Sequence, residues 1–371
     1  MHRNIGRVGG RRRRGRAVVA AALLATGLAG GVSPARATAP TIAGTNGPII
    51  GFDATTSAGS GLRTVNVYDG RTFDLRAGST GHVFDVGGMR IVRYDGATNQ
   101  IVVASIEPDG VYRETVATPP SPGFVRAKDL RWSPDRRKVA FLGSVDGTTF
   151  DAFTLTVTTP ASRPVRLSTG GAPSAPTWAA DSLSVAYSVR VNGADHEIVT
   201  QRADGAWRTV QTSDRAQQID PSWSRSGTAL AYATNETGAW AVKQAAVRRD
   251  LFGFWRFGAS GIVGSAPTPG ATFTSTPVYS PDGGKLLASW SGTGIATYTP
   301  GAAGAAGYPW TSRTVGGSPA AGPVLWSPDG RRAAFVRGGE VFTIDLATGA
   351  AQQATTGGGA TAVTSWQNLT L

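Results

Sequence analysis

The sequence predicts an all-β protein, a single propeller of four-stranded blades, and three observations support that fold class. A phrase of Trp or Tyr followed by Ser-Pro-Asp and then Gly or a basic residue recurs along the chain. The aromatic residues that lead its copies lie at positions 132, 178, 223, 279, 326 and 366, at intervals of 46, 45, 56, 47 and 40 residues. Helical periodicity is absent between them, and such intervals are typical of propeller blades rather than helical solenoids.

Each copy of the phrase reads as the turn of a β-hairpin. Full copies occupy residues 132–136, 279–283 and 326–330, and degenerate copies occupy residues 178–182 and 223–227. Ser, Pro and Gly stand at the first, second and fourth positions, where a type I turn favours them. The aromatic residue therefore ends one strand, and the apolar run after the turn begins the next.

These phrases resemble the TolB-type, WD-like propeller repeats of bacterial envelope proteins and of the propeller domains of prolyl-oligopeptidase relatives. The resemblance runs from about residue 128 to the C-terminus and is good in two copies. It implies a propeller, association with the cell envelope and contacts with other proteins. The N-terminal domain of the TolB family and the hydrolase domain of the peptidases have no room here, and we expect neither.

The first residues read as a secretory signal peptide. Arginines at positions 11–14 and 16 form a positive n-region, residues 17–28 are apolar, and residues 35–37 fit a cleavage site. Residues 1–37 contain eight arginines and no acidic residue, so their removal lowers the formal charge from +12 to +4. We therefore expect a secreted, extracytoplasmic propeller over residues 38–371, exported by the general secretory route. We expect no membrane span after cleavage and no nucleic-acid partner.

The mature length predicts seven blades, two of which precede Trp132. The second blade offers four strand-like runs, but the first offers only three, so we expect the strand at residues 363–366 to complete the first blade and close the ring. Six blades, with an irregular lead-in over residues 40–120, are the alternative. The runs of the first blade lie at residues 48–54, 62–68 and 72–76, and those of the second at residues 83–86, 89–94, 100–105 and 112–117.

The composition argues against several classes of site. The chain has no cysteine and no metal, nucleotide or catalytic-serine motif, so we expect no cofactor and favour a protein that is not an enzyme. The mature chain has two histidines, His82 and His196. For the group at residues 195–197, Asp-His-Glu, a solvated hairpin and an acid/base or ligand cluster are the two interpretations. No pair of carboxylates can be assigned to a site in the central channel.

The outer strands of the predicted blades carry two further features. Runs at residues 111–116, 206–210 and 254–257 each pair an aromatic residue with an arginine, which favours stacking on the adjacent sheet over a sugar-binding platform. The 56-residue interval marks one blade with extra material, which we place at residues 248–252 and in a Gly/Pro-rich connection at residues 258–274. Such extra length is either a functional loop or tolerated slack.

The two faces of the predicted ring differ in charge. If the Trp-led strand comes first in each blade, the turns after it share one face and are rich in basic residues. The connections between second and third strands share the other face and carry Asp146, Asp195, Glu197 and Glu236. A basic residue is ordinary at this point of the repeat, but a ring of them also suits an anionic polymer or an acidic protein patch. The candidate binding residues are Arg136, Arg137, Arg331 and Arg332.

The sequence thus predicts a secreted, monomeric, non-enzymatic propeller that binds a protein or a cell-wall polymer through one face. The alternative is a carbohydrate-active propeller, a lectin, glycosidase or lyase, with its site at the central channel. The first hypothesis needs an accessible basic face. The second needs carboxylates in the channel.

Overall fold

The computed structural model describes residues 46–56, 59–77, 79–84, 90–106, 112–118, 124–191, 195–213, 215–300, 310–316 and 322–368. These residues form 28 strands in seven four-stranded sheets. The all-β, seven-bladed prediction is confirmed, and the six-bladed alternative is wrong because the region before residue 120 contributes to two regular sheets. The signal peptide predicted at residues 1–37 lies outside the described residues. No described segment forms a helix with the length and hydropathy of a membrane span.

The blades are numbered from the N-terminus, and all strand pairs within them are antiparallel. Blade 1 contains β28 (Ala360–Asn368), β1 (Asn46–Thr56), β2 (Gly59–Asn66) and β3 (Thr72–Ala77). Blade 2 contains β4 (Ser79–Phe84), β5 (Arg90–Asp95), β6 (Gln100–Ile106) and β7 (Tyr112–Val116). Blade 3 contains β8 (Arg126–Trp132), β9 (Lys138–Ser144), β10 (Asp151–Thr156) and β11 (Val165–Arg166). Blade 4 contains β12 (Thr177–Trp178), β13 (Ser184–Val191), β14 (Asp195–Arg202) and β15 (Thr209–Val210).

The remaining three blades follow the same order. Blade 5 contains β16 (Gln218–Trp223), β17 (Ala229–Thr234), β18 (Ala241–Arg249) and β19 (Trp255–Ser265). Blade 6 contains β20 (Phe273–Tyr279), β21 (Leu286–Trp290), β22 (Gly294–Pro300) and β23 (Trp310–Gly316). Blade 7 contains β24 (Leu325–Trp326), β25 (Arg332–Arg337), β26 (Glu340–Asp345) and β27 (Ala351–Gln353).

The first strand of each sheet is the innermost one, because the first strands of neighbouring blades contact one another around the ring. In blade 1 this inner strand is β28, which comes from the C-terminus. It pairs with β1 so that Val363 lies opposite Phe52 and Trp366 lies opposite Ile50. The predicted closure of the ring by the C-terminal strand is therefore confirmed.

The hydrophobic core lies in the seams between neighbouring blades. The second strands are almost wholly buried, as β9 and β13 show, since adjacent sheets cover both of their faces. The repeated aromatic residues end the inner strands and fill the seams, and Trp178, Trp223 and Trp326 are 7%, 6% and 9% exposed. The repeat therefore encodes the packing of one blade on the next.

The Ser-Pro-Asp turns form as predicted, and their hydrogen bonds explain the recurrence of Ser and Asp. In blade 7 the N–H of Gly330 donates to the carbonyl oxygen of Ser327 at 2.9 Å. The Ser327 hydroxyl donates to Asp329 at 2.5 Å and accepts the N–H of Arg332 at 2.9 Å. The fourth position has a positive φ, 68° at Gly330 and 61° at Arg136 in blade 3, so glycine is favoured there.

The extra length of blade 5 extends a hairpin. β18 and β19 pair from Ala241 opposite Ser265 to Arg249 opposite Trp255. The prediction that residues 258–274 form a connection is wrong for residues 258–265, which continue β19. An outermost strand tolerates glycines because one of its faces is open to solvent and the main-chain ladder needs no side chain.

The ring has two ends, which we call the turn face and the opposite face. The turn face carries the connections from the first to the second strand and from the third to the fourth strand of each blade. The opposite face carries the connections from the second to the third strand and the links between blades. Antiparallel pairing places these two sets of connections at opposite ends of every sheet.

Candidate functional site

Bulges in two inner strands place aspartates at the central channel. The pairing of β8 with β9 shifts register after Lys128, and the pairing of β16 with β17 shifts after Ile219. Asp129 and Asp220 lie in these bulges with φ of 55° and 52°. Left-handed backbone costs a residue with a side chain roughly 1 kcal/mol or more, so the surrounding structure must hold both residues in place.

A third carboxylate, Asp53 on β1, links blade 1 to blade 2. Its two oxygens accept the N–H of Gly81 at 3.0 and 3.1 Å. Gly81 lies in the matching bulge of β4, with φ of 64°, and packs close to Leu130 of blade 3. Burial raises the pKa of Asp53 to about 6, the Gly81 N–H acts in the opposite direction, and the negative charge of Asp129 adds to the rise.

Asp220 has the same kind of environment. Burial raises the pKa of Asp220, the positive charge of Arg131 opposes that rise, and the negative charge of Asp129 adds to it. Blades 1, 3 and 5 are not neighbours, so these carboxylates influence one another across the channel. The channel therefore holds two aspartates that keep their protons more tightly than usual, a property common to acid/base and ligand-binding sites.

The expectation that no carboxylates could be assigned to the channel is wrong. Asp129 and Asp220 each stand three residues before the repeat Trp of their blade, and this shared offset is a signal that the sequence does contain. Asp53 has no such signal, because it lies on a second strand of the blade that the C-terminus completes. Within the described ranges, no three His, Asp or Glu side chains are close enough to hold a metal ion.

The group at residues 195–197 joins blade 4 to the segment that enters blade 5. The side chain of Gln217 donates to Asp195 at 2.9 Å, and its carbonyl oxygen lies 2.9 Å from Nδ1 of His196. Glu197 is 6% exposed and accepts the hydroxyl of Thr212 at 2.5 Å. The solvated-hairpin interpretation is therefore wrong for Glu197, and all three side chains have partners within the seam. The side chain of His82 lies outside the described part of the chain.

The candidate arginines lie on the turn face but do not form one patch. Arg136 and Arg137 belong to blade 3, whereas Arg331 and Arg332 belong to blade 7, across the ring. Arg136, Arg137 and Arg331 are exposed, and Arg332 is half-buried. The proposed binding role of these four residues remains a prediction.

Other basic residues of the turn face link neighbouring blades. Lys138 donates to the carbonyl oxygen of Ser182 in blade 4 at 3.1 Å. Arg225 of blade 5 donates to the carbonyl oxygen of Pro281 in blade 6 at 2.9 Å. Part of the basic repeat therefore serves the fold, and only the side chains that point away from these links are available to a partner.

The aromatic residues of the outer strands stack between blades, as predicted. Trp207 of blade 4 packs on Phe254 of blade 5 with ring centroids 5.2 Å apart. The guanidinium of Arg202 lies 4.8 Å from the ring centre of Trp207, and that of Arg249 lies 4.8 Å from the ring centre of Trp255. The corresponding side chain at position 112 lies outside the described set.

The turn face also exposes large apolar side chains beside these rings. Leu251 and Phe252, at the tip of the β18–β19 hairpin, are 101% and 77% exposed. Trp207 is 48% exposed, and Leu183, in the first turn of blade 4, is 50% exposed. The segment at residues 248–252, where the sequence placed extra material, thus forms an apolar projection.

The fold is shared with solved structures, although no family model and no curated protein matches the sequence. A mutant of puromycin hydrolase in complex with PGG matches 84% of this chain at 16% identity, with a TM-score of 0.58. An oligogalacturonate lyase in complex with manganese matches 78% of this chain and 82% of its own at 10% identity, with a TM-score of 0.55. TolB from Acinetobacter baumannii matches 86% of this chain and 82% of its own at 14% identity, with a TM-score of 0.49.

These likenesses are likenesses of fold. The match to puromycin hydrolase covers 53% of that protein, so this chain spans about half its length. At such low sequence identities, the shared fold does not show that this chain has the chemistry of any of these proteins. The propeller is the fold that the TolB-type repeats of the sequence imply.

Proposed function

We propose that this protein is an extracytoplasmic, non-enzymatic binding propeller, and that it engages a protein or an anionic cell-wall polymer through its turn face. The observation that carries the proposal is that this face presents cationic and large apolar side chains to solvent together. Arg136, Arg137 and Arg331 are exposed there, as are Leu251 and Phe252. Exposed apolar groups of this size are unusual on a protein without a partner.

The sequence supports the location and state that the proposal requires. Residues 1–37 have the three regions of a secretory signal, and removing them leaves a chain of modest net positive charge. The ring is closed, so the inner edge of each sheet faces the central channel and is protected from pairing with a second chain, and we propose a monomer. Binding then depends on side chains of the turn face.

Charge reversal on the turn face tests the proposal. We expect Arg136→Glu, Arg137→Glu, Arg331→Glu and Arg332→Glu together to weaken retention on isolated cell-wall material and to abolish its salt dependence, because long-range attraction is lost. Arg136, Arg137 and Arg331 are exposed turn residues, so each of these changes should cost under about 0.5 kcal/mol of stability, whereas Arg332 is half-buried at the start of β25 and its change should cost more. The matched control reverses Arg126 and Arg190, exposed residues at the ends of β8 and β13 near the opposite face. If the quadruple variant is retained on cell-wall material as strongly as the wild-type protein, these four arginines are excluded as the binding site.

A carbohydrate-active channel is the second candidate, favoured by the three channel carboxylates. Asp53, Asp129 and Asp220 lie in separate blades, the charge of Asp129 acts on both of the others, and burial raises the pKa of Asp53 and Asp220. A relative of the same fold is an oligogalacturonate lyase. The test incubates the mature protein with uronate polymers and neutral glycans and follows chain cleavage, with Asp129→Asn and Asp220→Asn as variants. Cleavage lost in both variants would favour this candidate over the first.

A further inference from the structure

The hairpin of β18 and β19 holds its apolar tip in a defined turn. Asp250 accepts the N–H groups of Phe252 and Phe254 at 3.0 and 2.9 Å and the guanidinium of Arg256 at 2.9 Å. The N–H of Gly253 donates to the Asp250 carbonyl oxygen at 3.0 Å, with φ of 85° at the glycine. Leu251 and Phe252 are thus presented to solvent by a turn whose main chain is already ordered, which lowers the entropy cost of binding through them.

A cleft lies beside this tip, in the seam between blades 4 and 5. Trp207 and Arg202 line it from blade 4, and Phe254 and Trp255 line it from blade 5. It encloses about 10 Å³, roughly the space of one water molecule, and opens to solvent. An apolar side chain of a partner can therefore lie over the cleft, and only a single small polar atom can enter it.

The cleft also offers a donor that the fold leaves unused. The indole N–H of Trp255 is buried and has no acceptor within the part of the chain that the structure describes. A buried donor without a partner costs about 1–3 kcal/mol, which an oxygen atom of a bound chain would recover. An aromatic surface with such a donor is typical of protein-binding hot spots.

The rim of the cleft is predominantly cationic. Asp181, Asp204 and Asp250 pair with Arg249, Arg202 and Arg256 respectively. Two further exposed arginines, Arg208 and Arg248, flank the hairpin and the start of β15. The positive excess favours a partner that brings carboxylates, and Arg208 and Arg248, which lie outside these three ion pairs, are exposed to receive them.

We propose that this seam docks an acidic protein segment carrying one aromatic or leucine side chain. The side chain lies over the cleft against Trp207 and Phe254, with Phe252 and Leu251 beside it, and the acidic residues on either side meet the arginines of the rim. The inference rests on the proposed function, since it names the partner and the part of the turn face that binds it. It differs from that proposal in placing affinity in apolar contacts at blades 4 and 5 rather than in the arginines of blades 3 and 7.

The test uses biotinylated acidic peptides in which one central position is phenylalanine, leucine, alanine or lysine. We expect the phenylalanine and leucine peptides to bind the mature protein, and the alanine and lysine peptides to bind at least about tenfold more weakly. Leu251→Ser with Phe252→Ser, and separately Trp207→Ala, should reduce binding of the phenylalanine peptide by a similar factor. The matched control is Val145→Ser, which removes an apolar side chain that is 62% exposed on the opposite face.

The outcomes separate this inference from the proposed function. Equal binding of the alanine and phenylalanine peptides would mean that charge alone attracts the ligand, and it would overturn the inference while leaving the proposed function intact. Peptide binding that survives both the double serine variant and Trp207→Ala would also overturn it. Light scattering tests a further outcome. If the wild-type protein is a dimer and the double serine variant is a monomer, the cleft belongs to a second copy of the chain, and the proposal of an acidic segment is overturned.

Discussion

The seam between blades 3 and 4 and the seam between blades 4 and 5 contain the same repeated Trp in different roles. Trp178 donates its indole N–H to the carbonyl oxygen of Arg131 on the preceding inner strand at 3.0 Å. Trp223 is equally buried, yet within the described residues its N–H has no acceptor, and its ring packs 4.8 Å from that of Trp255. The same repeat position thus makes a hydrogen bond across the seam of blades 3 and 4 and an aromatic contact in the seam of blades 4 and 5.

The hydrogen-bonded form is the rule of the ring. Trp132 donates to the carbonyl oxygen of Val83 at 2.9 Å, and Trp326 donates to that of Val278 at 3.1 Å. Trp223 is the exception, and its blade 5 also contains the long β18–β19 hairpin with its exposed apolar tip. The departure from the repeat therefore lies in the same region as the proposed docking seam.

The test with the largest expected effect concerns β28, the strand that closes the ring. The indole N–H of Trp366 on this strand donates to the carbonyl oxygen of Gly47 at 3.1 Å. Deleting residues 361–371 removes most of β28, so the buried Val363 and Trp366 are lost and β1 becomes an open inner edge. We expect the free energy of unfolding to fall by more than the roughly 3–5 kcal/mol of a single buried Trp truncation. Thermal unfolding of both chains measures the loss. A peptide of the deleted sequence should restore part of it, and an unchanged melting temperature would contradict the observed closure.

The next test concerns the seam between blades 1 and 2, which uses a carboxylate instead of an indole. Asp53 has a pKa of about 6 in the folded protein against an ordinary 3.8, so the folded state binds the proton more tightly. Its contribution to stability is therefore fully present below pH 3.8 and is lost as the pH rises from 3.8 through about 6, by up to ~3 kcal/mol. Chemical denaturation of wild type and Asp53→Asn at several pH values measures this difference.

The negative charge of Asp129 provides the internal control for the Asp53 titration. Asp129→Asn removes a charge that raises the pKa of Asp53, so the loss of stability should be smaller in that variant and should be complete at a lower pH. An identical pH dependence in wild type and Asp53→Asn would show that Asp53 does not titrate as described.

The smallest test compares the two seams directly. Trp178→Phe and Trp223→Phe remove the same atoms from sites that are 7% and 6% exposed, so the loss of packing volume is matched. Only Trp178→Phe leaves a partly buried carbonyl oxygen without its donor, and we expect it to cost about 0.5–1.5 kcal/mol more than Trp223→Phe. Urea unfolding of the two variants measures the difference. Equal losses would show that the two seams are held in the same way.

Local chemistry in the sequence determined the blades of this protein. The repeat aromatic and the Ser-Pro-Asp turn fix where an inner strand ends and the next strand begins. Seven blades and the closing role of residues 363–366 followed from the repeat spacing together with the mature length. Turn preference and apolar alternation act over a few residues, and they are readable for that reason. The common face of Arg136 and Arg331 followed in the same way.

Only the tertiary structure decided how residues of different blades meet. Asp53, Asp129 and Asp220 lie far apart in the chain and share the channel because the ring closes. Asp53 accepts the N–H of Gly81 because the bulge in β4 leaves that N–H out of the strand ladder. The position of residues 258–265 in a strand depends on the ladder with β18 rather than on their own glycine-rich composition. Contacts across seams depend on neighbours that no local pattern specifies, and those contacts decide pKa values, the cleft of blades 4 and 5, and which arginines remain accessible.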